Sequence, residues 1–168
     1  MTRQEYLEIY EIVGAAMEVH RVLGRGLSES IYQESLQLEL AKRGIVAERE
    51  KKLEVYYKDE KLNQFYVADF YCNGVLVELK ASADICSEHR AQLFNYMRIS
   101  KNHRGLLINF GEKSLRAERY SYLEDVDDFV LLSQDNYREY ITGEEKVINE
   151  YNYSQDDNHL QRVKKLME

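Results

Sequence analysis

The stretch "VADFYCNGVLVELKA" at residues 67–81 decides the fold, because it joins two apolar runs through Asn73-Gly74. Asn-Gly is the favoured pair for a two-residue type I′ hairpin turn. Such a turn places Asp69 opposite Glu78, and the alternation of side chains then puts both carboxylates on one face of the hairpin. The other face is wholly apolar and is expected to be the buried side; it consists of Ala68, Phe70 and Cys72 with Val75, Val77 and Leu79.

Two carboxylates that face each other across a hairpin repel unless a proton or a cation lies between them. Only one positive side chain, Lys80, shares this face. A divalent cation removes the conflict, and oxygen ligands without clustered Cys or His favour Mg²⁺ or Mn²⁺ over Zn²⁺. Asp69, Glu78 and Lys80 therefore predict metal-assisted phosphodiester hydrolysis, with Lys80 orienting the attacking water or stabilising the developing charge.

An acid-x-Lys triplet is common, so a second interpretation of this hairpin stays open. The same spacing occurs at residues 50–52, 59–61 and 144–146, in charged, turn-like surroundings. Only the triplet at 78–80 ends an apolar strand with an aspartate opposite it. The competing interpretation is the exposed face of an edge hairpin that carries a Lys80 salt bridge.

Patterns on either side of the hairpin predict the fold class. Helical periodicity and end signals predict helices at about 3–23, 28–43 and 87–100. Extended patterns predict three strands within residues 51–81 and two more at 105–110 and 115–123. The order of helix, helix, three strands, helix and two strands predicts an α/β fold with a mixed sheet.

Charge divides the chain into two parts. Residues 1–121 contain 18 acidic and 18 basic side chains, so the net charge of −7 comes from residues 122–168. We expect a single domain at 1–121, followed by an acidic extension at 122–168 that is helical in part. No apolar run has the length of a membrane span, and no disulfide framework is indicated, so we expect a cytoplasmic protein with no membrane contact.

The residues of the hairpin resemble the PD-(D/E)XK nuclease superfamily, whose signature is an acid on one strand and acid-x-lysine on the next. The segment "GLSESIY" supplies Gly26, Glu29 and Tyr32 at the spacing of the GxxExxY family within that superfamily. Further matches are "VELKA", "AQLFNY" and "GLLINFG", and the resemblance covers about residues 5–120. It implies a restriction-endonuclease-like core and a metal-dependent nuclease activity.

The resemblance also implies further site residues. Glu29 matches a helical acid that joins the metal ligands, to which the main-chain carbonyl of Leu79 adds. Gln92 and Tyr96 match a QxxxY motif that positions DNA, and His89 lies one turn earlier on the same helix face. From spacing alone, Glu29 is equally a helix residue favoured by the dipole, and His89 is more readily a solvated or hydrogen-bonded structural histidine.

The expected partner is nucleic acid, with DNA as the substrate that the resemblance favours. The candidate phosphate-binding cations are Lys80, Arg90, Arg98, Lys101, His103 and Arg104. A homodimer and a protein partner for the acidic extension are also compatible with the sequence. The alternative function is a nuclease-fold module that binds nucleic acid or protein with little or no catalysis.

Overall fold

The structure is a computed structural model, and it describes residues 3–132 of the 168-residue chain. A six-stranded sheet is flanked by three helices. The helices are α1 (Arg3–Leu23), α2 (Glu29–Lys42) and α3 (Ser87–Ser100). The strands are β1 (Ala47–Tyr57), β2 (Glu60–Cys72), β3 (Val75–Lys80), β4 (Arg104–Asn109), β5 (Arg116–Leu123) and β6 (Asp128–Leu132).

The sheet is mixed, as predicted. The strands lie side by side in chain order; β3 and β4 are parallel, and every other neighbouring pair is antiparallel. The parallel pair requires a crossover, which α3 supplies. The three predicted helices and the strands around the hairpin are therefore confirmed, and the α/β fold matches a restriction-endonuclease-like core.

Helices cover both faces of the sheet. Residues of α1 and α2 pack with Phe70, Val77 and Leu79 in one apolar cluster. Leu93 and Met97 of α3 pack with Leu76 and Leu107 in a second cluster. The interpretation of residues 67–81 as an exposed edge hairpin is therefore wrong, because β3 lies between β2 and β4 and both its faces are covered.

The register of the β2–β3 hairpin is the predicted one for every residue pair that the two strands form. Cys72 pairs with Val75, and the ladder continues to Phe70 and Val77. Asn73 and Gly74 have φ values of 47° and 82°, as a type I′ turn requires. The predicted face of Ala68 is wrong, because Ala68 packs in the second cluster while Phe70 packs in the first. Strand alternation is thus interrupted at Asp69.

A sixth strand lies beyond the predicted end of the domain at residue 121. Strand β5 continues to Leu123, and β6 pairs with it. Phe129 of β6 stacks on Phe94 of α3, with ring centroids 4.2 Å apart. The sheet therefore includes residues 122–132, and the helical part predicted for the acidic extension falls outside the described residues. Within residues 3–132, no helix is long and apolar enough to cross a membrane.

One buried side chain fixes the loop that leaves β3. Asn109 at the end of β4 is paired in register with Lys80. Its Oδ1 accepts hydrogen bonds from the N–H groups of Ser82 and Gly111, at 3.1 and 3.2 Å. Its Nδ2 donates to the Ser82 carbonyl at 2.9 Å. The chain that follows Lys80 is therefore held to the neighbouring strand through side-chain hydrogen bonds.

We expect Asn109→Ala to lower the free energy of unfolding by about 1–3 kcal/mol, because the half-buried main-chain groups of Ser82 and Gly111 lose their fully buried partner. Urea unfolding measures the change. The matched control is Asn95→Ala on the exposed surface of α3, which should change stability by less than about 0.5 kcal/mol. Equal stability of the two variants would contradict the role assigned to Asn109.

Candidate active site

Asp69 occupies the place where β2 and β3 stop pairing. Its Oδ2 accepts the main-chain N–H of Leu79 at 2.7 Å, two residues beyond Val77, the last residue of β3 that pairs with β2. The carboxylate thus binds the strand that carries Glu78 and Lys80. Burial raises the pKa of Asp69, while the hydrogen bond from Leu79 acts in the opposite direction. The sequence placed Asp69 here through the turn, but this main-chain contact was not predicted.

Gln33 of α2 holds the second oxygen of Asp69. Its Nε2 donates to Asp69 Oδ1 at 3.0 Å, and its Oε1 accepts from Arg49 Nε at 3.0 Å. Gln33 is buried beside apolar residues of the same helix, which include Tyr32 and Leu36. Sequence analysis missed Gln33; the available signal was a polar residue on the apolar face of a helix.

Glu78 is the least satisfied acid of the site. Its side chain is on the interior strand β3, and the residue is only 3% exposed. Oε1 accepts a hydrogen bond from Lys80 Nζ at 2.9 Å, whereas Oε2 is buried without a hydrogen-bond partner. Burial, followed by the charge of Asp69, raises the pKa of Glu78 to about 7. The single ammonium of Lys80 therefore does not outweigh burial and the charge of Asp69 at this carboxylate.

A second buried glutamate, on the same face of the sheet as Glu78, has hydrogen-bond donors for both of its carboxylate oxygens. Leu107 of β4 lies between the two glutamates: it is in register with Glu118 of β5 on one side and with Glu78 of β3 on the other. Arg90 donates two hydrogen bonds to Glu118, at 2.7 and 2.8 Å, and Arg116 donates a third at 2.9 Å. Burial acts to raise the pKa of Glu118, but the hydrogen bonds outweigh it and the pKa is lowered. Glu78 has only Lys80 in this role.

Gln92 and Tyr96 lie together on α3, and Tyr96 packs in the second cluster with Ala68 and Leu76. Gln92 Nε2 donates to the Tyr96 hydroxyl at 2.9 Å. Burial raises the pKa of Tyr96; the Gln92 hydrogen bond opposes this, and the charge of Glu78 adds to the increase. Tyr96 is therefore within electrostatic reach of Glu78, and the phenol stays protonated at neutral pH.

Glu29 begins α2, and its exposed carboxylate contributes to the raised pKa values of both Asp69 and Glu78. The preceding loop is fixed by Tyr32, which is fully buried and stacks on Phe110 with ring centroids 4.5 Å apart. The Tyr32 hydroxyl donates to the Gly24 carbonyl at 2.7 Å and accepts from the Leu27 N–H. This loop brings Glu29 to the same side of the molecule as the hairpin acids.

His89 lies at the start of α3. Its Nδ1 accepts the main-chain N–H of Cys86 at 3.3 Å, which caps the helix. This contact is structural, and it agrees with the plainer of the two sequence interpretations. The role of His89 in positioning substrate stays a prediction.

The donor atoms fit a hard divalent cation. Glu78 Oε2 is a buried oxygen without a partner, and Asp69 adds a second carboxylate close enough to raise the pKa of Glu78. Leu79, whose carbonyl is the third predicted ligand, lies between Glu78 and Lys80. Among residues 3–132, no three His, Cys, Asp or Glu side chains form a complete ligand set. Mg²⁺ takes one or two carboxylates and keeps several waters, so the arrangement suits this ion.

The predicted phosphate-binding cations are already paired with acids. Arg104 binds Glu8 at 3.1 Å and also reaches the Asn73 carbonyl at the hairpin turn. The other pairs are Lys80 with Glu78, Arg90 with Glu118, Arg98 with Asp127, and both Lys101 and His103 with Glu124. Each of these cations therefore has an acidic neighbour from α1, β3, β5 or the segment before β6, and their role in binding phosphate stays a prediction.

Without metal, we expect the free energy of unfolding to decrease as pH rises. Glu78 has a pKa of about 7 in the folded chain and an ordinary value of 4.5, so the folded state alone holds this proton between those values. Glu78→Gln removes the charge, and in EDTA at about pH 8 it should be more stable than the parent by up to about 3 kcal/mol. Urea unfolding across about pH 5 to 8 measures the difference.

The control for this experiment is Glu60→Gln, on the exposed start of β2. The difference in unfolding free energy between parent and Glu60→Gln should stay small across the same range. A constant difference between parent and Glu78→Gln would contradict a raised pKa at Glu78.

We expect Gln33→Leu to lower the free energy of unfolding by about 1–3 kcal/mol, because Asp69 and Arg49 both lose a buried partner. Gln37→Leu is the matched control, since Gln37 lies one turn later on the exposed side of α2 and also accepts from Arg49. Urea unfolding of both variants tests the assignment. Similar losses in the two variants would show that Gln33 does not have a special role.

Comparison with known families gives one match. A family model described as PD-(D/E)XK nuclease superfamily matches residues 7–120, which is more than half of the chain. Comparison with curated proteins and with solved structures gives no significant match. The matched segment contains the hairpin acids, Lys80, Gln33 and the Gln92–Tyr96 pair. The chain belongs to the PD-(D/E)XK nuclease superfamily.

Proposed function

We propose that this chain is a Mg²⁺- or Mn²⁺-dependent nuclease that hydrolyses phosphodiester bonds of DNA. One observation carries the proposal: Glu78 is buried beside Asp69 with one oxygen unpartnered, next to the ammonium of Lys80. The pair needs a further positive charge, and a divalent ion supplies it. Membership of a nuclease superfamily supports the same chemistry.

Asp69, Glu78 and the Leu79 carbonyl are the proposed metal ligands, with Glu29 as an outer one. When bound, the ion supplies Lewis-acid polarisation of the phosphodiester and an acidified water. Burial alone acts to lower the pKa of Lys80, but its hydrogen bond to Glu78 outweighs this and the pKa is raised. Lys80 therefore stays a cation, and its role is to orient the water or stabilise charge on the phosphate rather than to accept a proton.

Gln92 and Tyr96 are the proposed substrate-positioning pair. The Gln92 amide holds the Tyr96 hydroxyl, and the raised pKa of that phenol keeps it protonated. A protonated phenol can donate to a phosphate oxygen, as a developing negative charge requires. His89, at the start of the same helix, is the predicted third member of this group.

We also propose that the chain belongs to the GxxExxY group, because the residues at its three motif positions, Gly26, Glu29 and Tyr32, each have a separate structural or electrostatic role. Gly26 has a φ of 96°, which favours glycine. Tyr32 anchors the loop, and Glu29 carries the charge toward the hairpin acids. The cytoplasmic location, a homodimer and a protein partner for the acidic extension stay predictions.

Purified full-length chain with Mn²⁺ or Mg²⁺ should cut at least one of single-stranded, duplex and branched DNA. Asp69→Asn should reduce the rate at least about a hundredfold, because the lost metal interaction contributes several kcal/mol to the transition state. Product formation on labelled DNA measures this, with RNA of the same sequence as a parallel substrate. The same metals should raise the melting temperature of the parent more than that of Asp69→Asn.

The matched control is Asp59→Asn, which changes the same residue type in the exposed turn between β1 and β2. It should keep the activity of the parent. Cleavage that survives both EDTA and Asp69→Asn would overturn the proposal. Metal-independent binding of DNA without cleavage would favour a nuclease-fold binding module.

A further inference from the structure

An exposed aromatic ring lies directly beside the proposed site. Tyr66 of β2 is 47% exposed, and its ring contacts the buried ring of Tyr96, with centroids 5.5 Å apart and planes tilted by 46°. Neither the sequence pattern nor the superfamily signature pointed to Tyr66. One side of this ring is packed on the site, and the remainder is open to solvent.

Contacts connect Tyr66 to the reacting groups through a single side chain. Tyr96 packs in the second cluster with Ala68, which directly precedes Asp69, and with Leu76, which lies two residues before Glu78 on β3. The charges of Glu78, Lys80 and Asp69 also act on the pKa of Tyr96, after burial and its bond to Gln92. Tyr66 is therefore one ring away from the carboxylates.

The strand geometry fixes where Tyr66 stands. It is in register with Leu53 of β1, a buried member of the second cluster, which packs against α3. Cross-strand partners share a face, so Tyr66 points toward α3. It is also the last aromatic residue of an exposed run, residues 60–67, before β2 becomes buried at Ala68. The ring thus stands at the edge of the site, where a substrate strand would enter or leave.

Electrostatics makes a stacking contact valuable at this position. The cations that sequence analysis expected to hold a polyanion are paired with acids in the structure. Residues 1–121 have no net positive charge, because their 18 acidic side chains balance their 18 basic ones. A protein that binds nucleic acid with little phosphate attraction needs other contacts, and base–aromatic stacking is independent of sequence.

We propose that Tyr66 is a positioning residue that stacks an unpaired base of the substrate next to the bond that is cut. The preferred substrate class is therefore single-stranded DNA or DNA with an unpaired end. This inference rests on the proposed nuclease function and adds its substrate class. A base within a duplex is already stacked on its neighbours, so an open aromatic face favours a strand whose bases are free.

The test compares binding and cleavage of a labelled single-stranded oligonucleotide and a blunt duplex of the same sequence. Anisotropy in a Lys80→Ala background, which prevents cleavage, measures Kd. Tyr66→Ala should raise the Kd for the single strand about 5- to 150-fold, and the Kd for the duplex less than about twofold. In the Lys80-containing chain, Tyr66→Ala should raise KM for the single strand more than it lowers kcat.

Two further variants separate stacking from other effects. Tyr66→Phe keeps the ring and should restore binding to within about threefold of the parent, which a role of the hydroxyl would not allow. Tyr57→Ala makes the same change on the same hairpin, at a residue that is 66% exposed and followed directly by the turn. It should leave both Kd values unchanged.

Each outcome decides the inference. Equal effects of Tyr66→Ala and Tyr57→Ala, equal losses for single strand and duplex, or a changed oligomeric state of Tyr66→Ala in analytical ultracentrifugation would overturn it. If Tyr66→Ala keeps full binding while Asp69→Asn abolishes cleavage, the stacking role fails and the nuclease function stands. If the parent neither binds nor cuts any nucleic acid, the nuclease function itself fails.

Discussion

Repulsion between two buried carboxylates is the constraint on which the proposed site depends. Asp69 and Glu78 are brought together by the tight turn at Asn73-Gly74, and one ammonium, Lys80, does not supply enough positive charge for both. The fold keeps them there because β3 is an interior strand, covered on both faces and bonded to β2 and β4. The repulsion between the two carboxylates destabilises the fold at this site, and a bound divalent ion would offset that repulsion.

The surrounding structure holds this unfavourable arrangement in place. Gln33 and the Leu79 N–H each bind one oxygen of Asp69, so that carboxylate cannot turn away from Glu78. Asn109 fixes the chain just after Lys80. These contacts come from α2, β3 and β4, so the geometry of the site is set by the packing of the whole sheet. Such support from neighbouring groups is what keeps a functional constellation in a productive geometry.

The sequence predicted the parts that depend on local rules. Periodicity predicted the three helices, and Asn73-Gly74 predicted the hairpin and its register. It did not predict Gln33 or Asn109, because their role depends on residues 36 and 27 positions away in the chain. The acidic partners of Arg104 and Arg90 were not predicted for the same reason, since they come from α1 and β5. Strand β6 was missed because its short apolar run lies in a strongly acidic segment.

Glu78 and Glu118 show that the fold is able to neutralise a buried acid on this face. Both point toward α3, with β4 between their strands, yet Glu118 receives guanidinium groups from Arg90 and Arg116 while Glu78 receives only Lys80. A second permanent cation near Glu78 would stabilise the metal-free fold and compete with the metal for the same oxygen. The missing cation is thus the feature that would leave Glu78 available for its proposed role as a ligand. This is the exchange of stability for activity that is expected where function needs an unsatisfied group.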